Sequence, residues 1–181
     1  MKKIFLKFCL LACIPLFSVS CVYSHAVRTI VAVKLFPPSV VEVGDDMVDA
    51  KLFDINGNKK HLSDYLSDKY LLLSFWSNNC GFSKMSLPET KEVSEIYHEN
   101  LTVISINLDY KTEWKKAMAE QNMSWINVRD PKSHAGLAGK YGNDLDVPYF
   151  VIISPEGKII YKWFGYSEEL IKKNVSENIK L

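Results

Sequence analysis

The sequence predicts an α/β protein in three layers: a central mixed sheet, helices on both of its faces, and a β-hairpin leading into it. Three observations carry this. Residues 70–75 are a continuous apolar run, as expected of a strand buried on both faces, residues 101–107 read as a second buried strand, and a helical pattern follows each. Asn56-Gly57 lies between two short β-prone stretches, a tight-hairpin signal. Pro155-Glu156-Gly157 separates two further apolar stretches near the end of the chain.

The elements follow in order. Residues 29–36 are β-branched and apolar, and Pro37-Pro38 stops them, so a strand or extended arm precedes the main domain. Residues 51–54 and 59–62 form the hairpin, and Ser63-Asp64-Tyr65-Leu66 begins a short helical turn. The strand at 70–75 feeds a helix over 81–98, interrupted by Pro88, and the strand at 101–107 feeds a helix over 112–121 with Trp114, Ala117 and Met118 on one side. A short helix over 133–141 stops near Gly142. Strands at 149–154 and 158–163 make the second hairpin. Ser167 is expected to cap a final helix with Glu168 and Glu169 in its first turn, where they suit the dipole.

The chain has 181 residues, 48% hydrophobic and 24% charged, the balance of one globular domain. Its net charge of +1 gives no footprint for nucleic acid, which is excluded as a partner. Lys2-Lys3 and the apolar run from Phe8 to Val19 have the anatomy of a secretory signal, and the run is too short to span a bilayer. Ser18-Val19-Ser20-Cys21 resembles a relaxed bacterial lipobox, with Cys21 as the lipid-bearing first residue of the mature protein. Ser18 stands where an aliphatic residue is usual, and simple cleavage nearby is the alternative. The expected organisation is a signal peptide over 1–21, an extension over 22–44 and the domain over 45–181. The expected location is exported, periplasmic or at the cell envelope, with a lipid anchor in the membrane. Cys9 and Cys13 leave with the signal, so Cys80 is the single thiol of the folded domain.

Cys80 ends the strand-to-turn passage Phe75-Trp76-Ser77-Asn78-Asn79-Cys80 and opens a helix. A helix start aims unsatisfied backbone N–H groups and the positive end of the dipole at the sulfur, and both favour the thiolate. Gly81 leaves the sulfur open to a partner, and Pro88 bends the helix. A buried, inert cysteine fits less well beside Asn78, Asn79, Gly81 and Ser83, which are turn and surface residue types. His25, His61, His98 and His134 have no ligand spacing, so no metal is expected. Gly136 and Gly139 make no phosphate loop, and Ser83 has no evident His–Asp partners for hydrolase chemistry.

The run Phe75-Trp76-x-x-x-Cys80-Gly81-x-Ser83-Lys84-Met85-x-x-Pro88 resembles the active-site segment of the thioredoxin-like fold, in particular that of the TlpA/ResA-type thiol–disulfide oxidoreductases grouped with the AhpC/TSA redoxins. The resemblance extends through the hairpin at 54–58, Leu62-Ser63-Asp64-Tyr65, Ile106-Asn107-Leu108-Asp109, Asp146-Val147-Pro148-Tyr149-Phe150 and Ser154-Pro155-Glu156-Gly157, and covers residues 45–181. It implies a cis Val147–Pro148 bond against the reactive cysteine, and backbone there that pairs with an extended substrate. Three positions depart from the pattern. Ser83 replaces the resolving cysteine, Asn79 an aromatic residue, and Ser86 an acidic one.

The reading that follows is an exported thiol–disulfide redox protein acting through Cys80 alone, by mixed-disulfide formation. Ser83 and Pro148 join Cys80 in the catalytic set. Trp76, Asn79, Gly81, Phe82, Val147 and Tyr149 are expected to shape the substrate groove. The partners implied are a client protein or small-molecule thiol or disulfide, and an external reducing thiol that resolves the mixed disulfide. No cofactor is implied. One alternative is a thiol peroxidase-like redoxin, with Ser77-x-x-Cys80 echoing that signature and Arg129 available to polarise a peroxide. Another is a non-catalytic binding module on the thioredoxin fold.

Overall fold

The computed structural model describes residues 40–121, 123–142 and 146–180. The signal segment expected over 1–21, with Cys21, and the strand expected at 29–36 lie outside them. The described chain forms one seven-stranded sheet in the order β2-β1-β5-β4-β3-β6-β7. Its strands are β1 (Lys51–Phe53), β2 (Lys59–His61), β3 (Tyr70–Trp76), β4 (Leu101–Asn107), β5 (Ile126–Arg129), β6 (Tyr149–Ile153) and β7 (Ile159–Phe164). The helices are α1 (Gly81–Ile96), α2 (Lys111–Gln121), α3 (Leu137–Tyr141) and α4 (Leu170–Asn178), with 3-10 turns at Leu62–Tyr65 and Ser133–Ala135.

The central strand decides the architecture. β3 pairs parallel with β4 over seven residues and antiparallel with β6 over five, which makes the sheet mixed. Every residue from Leu71 to Trp76 is buried, because β3 has strands on both edges and helices on both faces. Leu71, Leu73 and Phe75 face one way, into a core with Ile104, Ile106, Leu137 and Tyr141. Leu72 faces the other way, against Val93 of α1 and Ile171 and Val175 of α4. Trp76, on that second face, packs with Leu87 and with Trp114 and Ala117 of α2. Each fully buried aliphatic or aromatic side chain contributes about 1.5–3 kcal/mol, so the alternation of β3 fixes both layers. The strand-to-helix passage at its carboxyl end is where an α/β sheet ordinarily places its chemistry.

The first hairpin opens wider than a two-residue turn. Asp54 accepts from the Asn58 backbone N–H at 2.7 Å, and Gly57 takes φ of 90°, so five residues link β1 to β2. β5 was not evident in the sequence. It has four residues, and its Asn127 and Arg129 break the apolar pattern. The helix expected over 133–141 is two pieces, a 3-10 turn and α3, separated at Gly136. A Cβ at Gly136 would run into the Asp130 carboxylate, which accepts from the Leu137 and Lys132 backbone N–H groups and pins the chain there.

The last helix begins later than expected, and Ser167 does not cap it. Its N-cap is Glu169, in the left-handed region at φ 64°, without a side-chain cap bond. The cap comes from another helix. Buried Glu89 of α1 accepts the Lys172 backbone N–H through Oε1 at 2.9 Å, within the first turn of α4. Lys172 Nζ adds ion pairs to Glu92 at 2.7 Å and Glu169 at 2.9 Å, which push its pKa upward.

Candidate active site

Cys80 is the N-cap of α1, at the carboxyl end of β3, with extended backbone at φ −101° and ψ 121°. Lys84 N–H closes the first helical bond onto the Cys80 carbonyl at 3.2 Å. The sulfur makes no side-chain cap bond, so the first N–H groups of α1 stay open around it. Its Sγ instead donates to the Val147 carbonyl at 2.9 Å. Cys80 is partly exposed and unbonded to any other cysteine. The Val147–Pro148 bond is cis, and the Pro148 carbonyl accepts the Gly165 N–H at 2.9 Å, tying this loop to the end of β7.

A buried carboxylate holds the turn that carries Cys80. Asp109 accepts from Ser77 Oγ at 2.5 Å, from the Asn78 backbone N–H at 2.7 Å, and from Asn107 Nδ2 at 3.0 Å. Within the turn, Asn79 N–H bonds to Ser77 Oγ at 3.1 Å and Cys80 N–H to the Ser77 carbonyl at 3.2 Å. Asp109 thus fixes Ser77 and Asn78, and through them the position of the cysteine. Sequence reading missed this role. The signal that could have shown it is a polar Asn107-x-Asp109 at the end of a buried strand.

The expected site residues separate into layers. Asn79, Gly81 and Phe82 are exposed beside Cys80, while Val147 and Tyr149 are half-buried on the opposing loop. Burial raises the Tyr149 phenol above its ordinary pKa, and the Glu42 charge adds to this. Pro148 is buried. Trp76 was expected in the groove wall but is fully buried, so it lies beneath the site and does not line it. Ser83, a surface residue by type, is fully buried as well. It sits one turn along α1 with its Oγ accepting the Ser77 N–H at 3.4 Å. Ser86 is buried and donates to the Ser83 carbonyl at 2.7 Å. Arg129 donates Nε to the Asp109 carbonyl at 2.8 Å, which commits it to the Asp109 loop.

Exposed apolar side chains gather on the segments that meet at Cys80. Phe82 and Met85 stand on the first turns of α1, Tyr110 follows Asp109, and Phe164 is paired with Tyr149 across β6 and β7. All four are more than half exposed.

Comparison with known proteins agrees with this geometry. Among solved structures, a protein described as a thiol:disulfide interchange protein of DsbE type from Chlorobium tepidum superposes with a TM-score of 0.67 at 22% identity, covering 76% of this chain and 97% of its own. The C-terminal domain of a protein described as a thiol-disulfide oxidoreductase from Bacteroides thetaiotaomicron gives 0.64 at 26% identity, with coverage of 76% and 95%. The exposed lipoprotein thioredoxin of Streptococcus pneumoniae gives 0.60 at 22% identity, with coverage of 72% and 99%. A comparison with curated protein sequences finds no significant match. The AhpC/TSA family model matches residues 43–162, about two thirds of the sequence. With the mixed sheet, the cysteine at the start of α1 and the cis-proline loop opposite it, the chain belongs to the AhpC/TSA family and has the thioredoxin-like fold.

Proposed function

We propose that this protein is a thiol–disulfide oxidoreductase that works through Cys80 alone. The observation that carries the reading is the placement of Cys80. Its sulfur is partly exposed at the start of α1 and lies 2.9 Å from the Val147 carbonyl of the cis-proline loop, with no other cysteine among the described residues. The Cys80 thiolate attacks one sulfur of a client disulfide, forms a mixed disulfide and releases the other client sulfur as a thiolate. An external thiolate then attacks the client sulfur of the mixed disulfide, which returns Cys80 as a thiolate and leaves a new disulfide between client and external thiol. Ser83 cannot perform that second attack because it has no sulfur.

When Cys80 engages a client, its proton no longer occupies the Val147 carbonyl. That acceptor becomes available to an extended client backbone, as in strand addition. Phe82, Met85, Tyr149 and Phe164 supply apolar contact on either side, with Asn79 and Gly81 leaving the sulfur accessible. The clients this surface fits are extended segments with apolar or aromatic residues next to a cysteine.

The leader features support an exported protein with a signal peptide over 1–21, a lipid-bearing Cys21 and a tether over 22–44 ahead of the domain. Among the described residues no helix is long and apolar enough to cross a membrane, so membrane attachment rests on the leader. One relative of the same fold is itself an exposed lipoprotein.

The test is incubation of the reduced protein with a small aromatic disulfide, followed by mass spectrometry and turnover assay. One equivalent of mixed disulfide on Cys80 is expected, with turnover only after a monothiol is added. Failure of Cys80 to form the adduct, with the protein folded, refutes the reading.

A further inference from the structure

The domain carries a basic face whose cations form no ion pairs among the described residues, with a groove in it lined by none of the residues placed at Cys80. Residues 40–181 hold 17 basic against 21 acidic side chains, so the domain is net negative. Six of those cations are nevertheless gathered on one surface. A groove of about 590 Å³ is lined by Lys51, Lys59, Lys132 and Lys140. A second pocket of about 210 Å³ is lined by Lys111 and Arg129, and the two share Phe53 and Pro131 as a common wall. None of the six is in an ion pair among the described residues, whereas Lys91, Lys158, Lys162 and Lys172 all are.

Three acids, Asp49, Asp54 and Asp130, line the same pockets and keep their charge, so six cations stand against three anions there and the face stays net positive. Asp130 is buried and accepts the Lys132 and Leu137 backbone N–H groups. Asp54 accepts from Asn58, which lowers its pKa, and Asp49 pairs with His61 and the Ser63 N–H. The five lysines are exposed, so the rim presents free ammonium groups to solvent around a concave floor.

The chain enters the domain beside this groove. Val41 N–H bonds to the Lys140 carbonyl at 2.9 Å, and residues 48–51 line the groove wall. The 39 residues before the described domain contain five basic and no acidic side chains, with Arg28 and Lys34 in the tether itself. A tether of about 20 residues spans at most roughly 65 Å and cannot by itself orient the domain. A positive face on the domain itself can.

We propose that this face binds the phosphate headgroups of an anionic bilayer, so that it orients the anchored domain at the membrane. The proposal rests on the leader reading above, with Cys21 as the anchor. Lysines near an anionic surface act additively and are screened by salt, and the groove gives individual headgroup phosphates a site among Lys51, Lys59, Lys132 and Lys140.

The test uses the full chain reconstituted in vesicles of phosphatidylcholine alone or of phosphatidylcholine with equimolar phosphatidylglycerol. Acylation of individual lysines by an amine-reactive ester is followed by mass spectrometry. Lys51, Lys59, Lys132 and Lys140 should react at least about fivefold more slowly in the anionic vesicles, and molar salt should remove the difference. Lys91 and Lys173, on the helices of the other sheet face, should react equally in both. A charge-reversed K59E/K132E variant should lose the protection at Lys51 and Lys140 while Cys80 alkylation stays the same. Equal reactivity in the two vesicle types overturns the proposal, as does protection that survives in the variant. If soluble glycerol phosphate protects the same lysines equally well in neutral vesicles, the groove is a soluble-phosphate site and the membrane assignment falls. Vesicle flotation separates the two readings. A chain that does not float with neutral vesicles lacks the anchor, while lysine protection in the anionic vesicles still decides the face.

Discussion

Truncating Asp109 to alanine tests how the reactive turn is held. The carboxylate accepts three hydrogen bonds, from Ser77 Oγ, Asn78 N–H and Asn107 Nδ2. Hydrogen bonds to a charged group are each worth about 1.5–3 kcal/mol net. Ser77 and Asn78 are only half-buried, so water replaces the carboxylate there and each loss falls at the low end. Asn107 is fully buried, and its amide is left without an acceptor, at about 1–3 kcal/mol. Together the change should cost roughly 4–6 kcal/mol, a large share of the ~5–15 kcal/mol that holds a domain.

Urea unfolding followed by tryptophan fluorescence should show the midpoint falling by about 2–3 M with the slope unchanged. Asp109→Asn should fall between wild type and Asp109→Ala, because the amide keeps one acceptor but turns a donor toward the others. Alkylation of Cys80 well below the midpoint should change rate in both variants. A loss under about 1 kcal/mol with unaltered alkylation would refute the reasoning. The turn would then be held by its own bonds, from Cys80 N–H to the Ser77 carbonyl and from Asn79 N–H to Ser77 Oγ.

Ser83→Cys should place a second thiol one helical turn from Cys80, within the Cα separation of about 4.4–6.8 Å that a disulfide needs. The variant should reduce a model disulfide catalytically, where wild type stops at the mixed disulfide, and failure of Cys80 to bridge to the introduced thiol under mild oxidant would count against the site geometry. Burial raises the Tyr141 phenol above its ordinary value, the Val48 N–H it accepts opposing this. Its contribution to stability is therefore complete below about pH 10 and is lost above it, at up to about 1.4 kcal/mol per pH unit, as the unfolded phenol ionises while the folded one does not. Tyr141→Phe should cost about 1 kcal/mol at neutral pH and flatten that alkaline decline in urea midpoints. Phe82→Ser should slow mixed-disulfide formation with an aromatic peptide disulfide by about three- to tenfold, the burial of part of one ring, without moving the unfolding midpoint.

The central strands and the reactive cysteine were readable because their signals are local. β3 and β4 are strongly apolar stretches, broken only by Ser74 in the first and by Thr102, Ser105 and Asn107 in the second, and Cys80 opens a helical pattern straight after β3. The cis-proline loop was legible only through the family resemblance, since nothing local distinguishes Val147-Pro148 from a trans pair. What escaped depends on partners distant in the chain. β5 is a strand only because it pairs with β4 and with Phe53 of β1. Asp109 is recognisable as the anchor of the turn only once β3 and β4 lie side by side, 32 residues apart in sequence. Trp76 looked like a groove residue because it precedes the turn, yet strand alternation sends its ring into the layer beneath α1 and α2. Ser83 looked like a surface residue by type, yet its place on α1 turns it inward.

The final helix illustrates the same dependence in time as well as space. α4 has nine residues, too few to persist alone in water, and its first turn is completed by Glu89 from the helix that Cys80 begins. Its Lys172 amide can therefore open to solvent only when Glu89 of α1 lets go of it. α1 and α4 should exchange hydrogen for deuterium as one unit, at a free energy well above that of β2, whose three residues are all exposed. The end of the chain would in this way set how rarely the cysteine-bearing helix comes undone, although no residue of α4 is among those that shape the cysteine's surroundings.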